Sequence, residues 1–356
     1  MGNLLLMTQT TPTRFWNDSC SIPELAYAIE NGAVGATSNP EIVGIVLKNE
    51  TEKYLPYANR LLTENPKASE DDILWLLNEH MAAEGAKLLY PIYKKNDRKN
   101  GYISIQTSPK YYRGDDRMLA QALHFNTLAE NVMVKIPVTE AGIAAIEEAT
   151  YKGVTVNATV SFSVPQAVAA AEAMERGLKR RAEQGLDNGG INPVCTIMAG
   201  RIEDWVRESA ASDGKVLDPV SLDMAGVAIF KNAYKIFRER GYKARLLAAA
   251  YRNHHQWSEF IGGEVSMTIP HKWIKLFDAC DIEVENRMDD PISPRVLGQL
   301  TKHVPEFNKA YEPDGLKISE FDSFGATMVT LTKFLRGYDN MIATIRKIML
   351  DITFTI

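Results

Sequence analysis

Eight short apolar segments, mostly separated by stretches patterned for helix, limit what this chain of 356 residues can fold into. They run at 14–20 (RFWNDSC), 34–39 (VGATSN), 102–108 (YISIQTS), 131–137 (NVMVKIP), 154–160 (VTVNATV), 193–199 (PVCTIMA), 245–250 (RLLAAA) and 265–269 (VSMTI). The fourth is a continuous β-branched run, the pattern of a strand covered on both faces. Helical stretches are read at 22–31, 113–129, 139–151, 163–185 and 218–240. The fourth of these opens with Ser163 as N-cap and Pro165 in the first turn. A β–α order of this kind predicts an α/β chain closed into a (β/α)8 TIM barrel. The alternative is an open doubly wound sheet, but no strand-to-helix turn carries a G-x-G-x-x-G fingerprint.

Two regions exceed a minimal barrel. Residues 40–100, between the second and third strands, are predicted as a helical insertion. There Ser69 and Asp72 form a capping box, followed by Ile73, Leu76, Leu77, Met81 and Leu88 at helical spacing. Residues 280–356 are predicted as a C-terminal helical extension, punctuated by prolines and charges up to about 320. Phe324, Met328, Leu331, Leu335, Tyr338, Ile342, Ile345 and Met349 then recur at steps of four and three, the mark of a long amphipathic helix. The expectation is that this helix packs on the barrel of its own subunit, with a dimer contact as the alternative. The chain is therefore expected to be a monomer or a homodimer. No internal repeat or low-complexity linker divides it, so residues 1–356 are read as a single domain.

Composition narrows the function classes. Hydrophobic residues make up 45% and charged residues 24%, values of a globular enzyme. The net charge of −5 is mixed along the chain without a basic stripe, which argues against nucleic acid as a partner. Cys20, Cys195 and Cys280 have no metal-ligand spacing and fit a reducing compartment. No apolar run reaches membrane-spanning length. Leu4-Leu5-Leu6-Met7 is too short for a signal peptide, and Leu6 stands where a myristoylation motif needs Ser or Thr. A cytoplasmic protein with no membrane partner is expected.

One residue is out of place in the fourth strand. Lys135 interrupts Val-Met-Val-Lys-Ile-Pro-Val, and no carboxylate follows until Glu140. A buried lysine is paired, reaches water, or loses its proton. At a pKa of about 10.4 only about one amine in a few thousand is neutral at pH 7. Desolvation lowers that pKa, and a neutral amine attacks carbonyls. The two readings are a Schiff-base lysine and a strand-end lysine reaching solvent.

In a parallel barrel, function collects at the carboxyl ends of the strands. Those ends carry Asp18, then Thr37, Ser38 and Asn39, then Gln106, Lys135, Asn157 and Thr159. The sixth leads into Arg201 and the seventh into Arg252 and Asn253. Each has an ordinary structural explanation singly. Together, a lysine, a carboxylate, amides, hydroxyls and two arginines suit an oxygen-rich anionic substrate.

The ordered set resembles the transaldolases. The matching segments are Gly35-Ala-Thr-Ser-Asn39-Pro40, Val134-Lys135-Ile-Pro137, Val156-Asn157-Ala-Thr159 through Phe162-Ser163 and Gln166-Ala167, Gly200-Arg201-Ile-Glu-Asp-Trp205, and Arg252-Asn253. The resemblance runs from about residue 14 to 275. It implies a class I barrel enzyme acting on sugar phosphates with no metal and no organic cofactor. Lys135 would form the Schiff base, Asp18 would handle protons or substrate hydroxyls, and Thr159 would hold the catalytic water. Asn39 and Asn157 would orient hydroxyls, with Thr37, Thr196 and Met198 also lining the substrate, and Arg201 and Arg252 would bind phosphate.

Four positions depart from the family pattern. Gln106 stands where transaldolases usually carry Glu, and glutamine neither accepts nor donates a proton at neutral pH. Gln at this place resembles the fructose-6-phosphate aldolase branch, which is short, lacks this insertion and has tyrosine where Met198 stands. Thr196 and Ala250 replace serines, which leaves room for another terminal anion such as a sulfonate. His254 and His255 follow Arg252, and at most one is expected to enter the pocket. Three functions compete: a transferase of dihydroxyacetone units, an aldolase releasing free dihydroxyacetone, and an inactive sugar-phosphate-binding barrel.

Overall fold

The computed structural model describes residues 2–350. After a first helix α1 (Asn3–Thr10), the chain runs β1 (Arg14–Asn17), α2 (Ile22–Glu30), β2 (Gly35–Thr37), α3 (Pro40–Asn49), α4 (Thr51–Glu64), α5 (Glu70–Lys95) and β3 (Tyr102–Gln106). It continues through α6 (Asp115–Phe125), β4 (Val132–Pro137), α7 (Glu140–Tyr151), β5 (Val156–Thr159), α8 (Val164–Glu183), β6 (Val194–Ile197), α9 (Ala199–Ser212), α10 (Pro219–Asp223) and α11 (Ala225–Arg240). The last elements are β7 (Arg245–Ala248), α12 (His255–Ser258), β8 (Ser266–Ile269), α13 (His271–Ala279), α14 (Pro294–His303), α15 (Pro305–Tyr311) and α16 (Gly325–Met349). The eight strands close into one parallel barrel in sequence order, with β8 against β1. This is the expected (β/α)8 architecture.

Every strand lies within a segment read from the sequence, but each segment loses residues at one or both ends; 131–137 and 265–269 lose only their first. Asp18, Ser38 and Asn39 fall in the lost carboxyl ends, whereas Thr37, Gln106, Lys135, Asn157 and Thr159 stay within the strands. The barrel interior needs close approach at Gly35, where a Cβ would meet the Trp16 indole at 2.7 Å. Ser163 caps α8 and Ser69 with Asp72 boxes α5, as their spacing predicted.

The insertion is built differently from its sequence outline. The 26-residue α5 serves two cores. Its first half (Ile73, Leu74, Leu77, Met81) packs with α3, α4 and α16 in a satellite cluster. Its second half (Ala82, Ala86, Leu89, Tyr93) joins the barrel core. Thus α5 is both insertion and barrel helix.

The C-terminal helix is where expected, but half of its stripe is shifted. Phe324, Leu331, Tyr338 and Ile345 are buried as read. Between them the inward residues are Thr327, Phe334 and Met341, not Met328, Leu335 and Ile342; Met328 is 50% exposed. A heptad seam can run a-to-d in either order of three and four, and apolarity alone favoured the wrong one because Thr327 is polar. Thr327 accepts a hydrogen bond from Gln166 Nε2 of α8 at 3.2 Å. Phe334 and Ile345, fully buried, each contribute roughly 2 kcal/mol of apolar burial. Tyr338 donates to Asp71 of α5. So α16 lies over α3, α4, α5 and α9 of its own chain. Among the described residues, no helix is long and apolar enough to cross a membrane.

Candidate active site

Strand register builds the site from one layer. Gln106 stands opposite Lys135, and Lys135 opposite Asn157, across β3, β4 and β5. Residues paired in this way point to the same face of the sheet. Asn157 Nδ2 donates to Ser104 Oγ at 3.2 Å, and Thr196 of β6 donates to Asn157 Oδ1 at 2.7 Å. The amide is thereby fixed from β3 on one side and β6 on the other.

Lys135 is 4% exposed. Its Nζ donates to the Ser38 carbonyl at 3.2 Å, and among the described residues no carboxylate forms an ion pair with it. Burial pulls the amine down to about 8; the Asp18 carboxylate opposes this and Arg201 adds to it. Asp18 follows β1 and retains partial exposure at the barrel mouth. Burial raises its carboxyl above the ordinary value, against the pull of Lys135, Thr37 and Arg201. Thr37 donates to Asp18 Oδ1 at 2.7 Å, and its hydroxyl lies 2.5 Å from that of Thr268 on β8. The two charges therefore act on each other across the mouth without an ion pair.

Several buried polar atoms around this layer lack a partner among the described residues: Gln106 Oε1, Thr159 Oγ1, Ser161 Oγ and the Tyr251 hydroxyl. Buried polar groups are nearly always bonded, so such a group of atoms marks a place prepared for ligand or water. The sequence reading passed over Tyr251 and Thr268. Tyr251 packs against Trp273 and Phe277, and burial with the nearby Asp18 charge drives its hydroxyl well above 10. Its only sequence signal is a tyrosine directly before Arg252. The backbone also departs from common conformations at two strand ends: Val160 has φ 53° and Ala250 φ 63°. A β-branched residue in the left-handed region is a true outlier, and such strain concentrates at functional sites.

The remaining predicted residues have mixed placements. Asn39 caps α3, its Oδ1 accepting from the backbone of Glu41 and Ile42. Met198 is buried at the start of α9. Gly200 N donates to the Ala250 carbonyl, and a Cβ there would lie 2.5 Å from that oxygen. Glycine thus lets the turn bearing Arg201 sit against the one bearing Arg252. Both guanidinium groups are engaged. Arg201 Nη2 bonds Glu41 at 2.8 Å while its Nη1 is buried without a partner among the described residues. Arg252, exposed, holds Asp204 in a bidentate pair at 2.8 and 2.6 Å. The His254 and His255 rings lie 4.0 Å apart, tilted by 41°, and neither borders the cleft that these arginines line.

A second buried carboxylate, not singled out in the sequence, lies beside the arginines. Burial lifts Glu203 to about 7. It accepts from Arg207, Asn253 and Gln256 at 3.0, 3.0 and 2.5 Å. Gln256 in turn accepts from the Arg252 backbone N–H at 2.5 Å. This network fixes the loop after β7. Among the described residues, no group of three or more His, Cys, Asp or Glu is placed to hold a metal ion.

An eight-stranded parallel barrel with a desolvated lysine and a carboxylate at its mouth defines an enzyme architecture of the aldolase type. The family model for Transaldolase/Fructose-6-phosphate aldolase matches residues 15–312, and the chain belongs to that family. It is 26% identical over 305 residues to "Transaldolase" of Thiobacillus denitrificans, covering 84% of this chain and 83% of that protein. It is 26% identical over 261 residues to "Transaldolase" of Thermobifida fusca, covering 70% and 69%. A shorter match, 36% identical over 118 residues, is to "Transaldolase 2" of Nostoc punctiforme, covering 33% and 31%.

Proposed function

We propose that this protein transfers a dihydroxyacetone unit from a ketose phosphate to an aldose phosphate through a Schiff base on Lys135. The observation that carries the reading is the environment of that amine: buried, at about 8, and without a carboxylate ion pair. Such an amine is uncharged in a far larger fraction of molecules at pH 7 than an ordinary lysine. Nζ attacks the C2 carbonyl, and water leaves to give a protonated imine. The C4 hydroxyl then loses its proton and the C3–C4 bond breaks, its electron pair passing into the iminium to leave an enamine. The aldose departs. The enamine carbon attacks an acceptor aldehyde, which takes up a proton, and water releases the new ketose.

Asp18 is the proposed proton carrier, since its burial favours the neutral form while Lys135 and Thr37 favour the anion. Thr159, with an unpartnered buried hydroxyl, is proposed to hold the water that hydrates the imine. Asn157, fixed by Ser104 and Thr196, orients substrate hydroxyls or the imine. Arg201 and Arg252 take the terminal anion, the former through its unpartnered Nη1.

Gln106 favours a second reading of the same chemistry. An amide in register with Lys135 holds a water without exchanging protons, which suits an aldolase that releases free dihydroxyacetone. Incubation with fructose 6-phosphate and no acceptor separates the readings. Steady release of dihydroxyacetone indicates the aldolase; a single burst that stalls indicates the transferase. Borohydride reduction with that substrate, followed by peptide mass analysis, tests both. A reduced three-carbon or hexose adduct on Lys135 is expected, and its absence would sink the Schiff-base reading.

A further inference from the structure

A cleft of about 880 Å³ opens between α3, α4 and α16, on the outer side of the two arginines. That volume is in the range that houses a whole drug-sized ligand, well beyond one terminal phosphate. Its walls are apolar: Ile45 (58% exposed), Leu55 and Met341 face it. Its rim is cationic. Lys48, Lys333 and Arg336 border it, and none of the three has an ion-pair partner among the described residues. Glu41 is the one acidic residue of the lining, and it is already bound to Arg201. Ordinary surfaces intersperse both signs, whereas a cleft lined by one sign concentrates counter-ions.

We infer that this cleft, which adjoins the terminal-anion position at Arg201 and Arg252, binds an organic polyanion, a molecule that joins two or more negative groups to an apolar or flat body, such as a nucleoside diphosphate. The charged end would lie among Lys48, Lys333 and Arg336, and the body on Ile45, Leu55 and Met341. The terminal phosphate of a sugar needs only the arginines, so the three other cations and the apolar wall answer to a larger ligand. The inference does not depend on imine formation at Lys135.

Isothermal titration of the full chain with adenosine diphosphate, inorganic phosphate and adenosine tests it. Adenosine diphosphate is expected to bind at least tenfold more tightly than either of the others. The Lys333→Glu/Arg336→Glu double variant and, separately, Lys48→Glu are expected to weaken that binding tenfold or more at low salt. Ile45→Asp is expected to weaken adenosine diphosphate more than pyrophosphate. Lys135→Met is expected to keep it, so failure of the Schiff-base reading and failure of this one are distinct results. Equal affinity for adenosine diphosphate and phosphate, or undiminished binding in both cation variants, would overturn the site.

Discussion

Two lysines are buried among the described residues, and they differ in everything except burial. Lys231 on α11 is 8% exposed and fully answered: Glu259 at 2.7 Å, and the Arg287 and Asp290 carbonyls at 2.7 and 3.1 Å. Lys135 on β4 is 4% exposed and has one carbonyl at 3.2 Å. A buried lysine with a carboxylate and two carbonyl acceptors is a structural tie. A buried amine with one weak acceptor is pulled down to about 8, so a far larger share of it is uncharged at pH 7 than of an ordinary lysine. Glu203 teaches the same from the acid side. Burial lifts its carboxyl to about 7, yet three donors satisfy it, whereas Gln106, in register with Lys135, has a buried Oε1 without a partner among the described residues. A shifted pKa alone therefore does not locate the site; a shifted group among unsatisfied neighbours does.

Replacing each lysine by methionine is the strongest way to break the contrast. Lys135→Met is expected to lower turnover by about 10³-fold or more, the scale of losing a group on which the whole reaction runs. Lys231→Met is expected to keep most activity per folded molecule. Steady-state assays on both purified variants check this, and comparable losses would erase the distinction.

Stability should move in opposite directions. Lys231→Met strands the Glu259 carboxylate and is expected to cost about 2–3 kcal/mol. Lys135 has the reverse sign. Its folded value of about 8 lies below the unfolded value of about 10.4, so the folded state binds protons less readily. Its contribution is favourable only above the unfolded value and is lost as pH falls from there through about 8. Lys135→Met is thus expected to be more stable than the parent by on the order of 2 kcal/mol at pH 7, with the gap closing above about pH 10.4. Urea melts of both variants at pH 7 and 9.5 measure it. A destabilised Lys135→Met at pH 7 would place that amine among the structural ties.

The pH profile sharpens the same point with a smaller effect. Imine formation on the free enzyme is expected to slow by up to about tenfold per unit as pH falls below 8, since the neutral amine is depleted. Borohydride trapping rates across pH 6–9 report it. The smallest expected change is Gln106→Glu, which restores a proton-exchanging group beside Lys135. It should raise transfer relative to dihydroxyacetone release by roughly a few fold. An unchanged ratio would remove Gln106 from the chemistry.

Much of this was legible in the order of residues. Eight β-rich segments in β–α order sufficed for the barrel, because strands covered on both faces must be apolar throughout. A lysine inside one of them stood out for the same reason. The capping signals at Ser69 and Ser163 are local chemistry and were read correctly. The inward register of α16 was not local: Thr327 faces in because Gln166, 161 residues away, supplies a donor. Nor could sequence show that Arg252 is held by Asp204, that α5 divides between two cores, or that the Tyr251 hydroxyl is buried without a partner.

The sequence by itself determined the barrel, the strand that carries the amine and the set of polar strand ends, because each follows from alternation and burial along neighbouring residues. Only the tertiary structure decided which of those polar groups are already satisfied. That depends on partners brought from distant strands and helices, and it separates the lysine whose amine burial pulls down to about 8 from the one that is tied down.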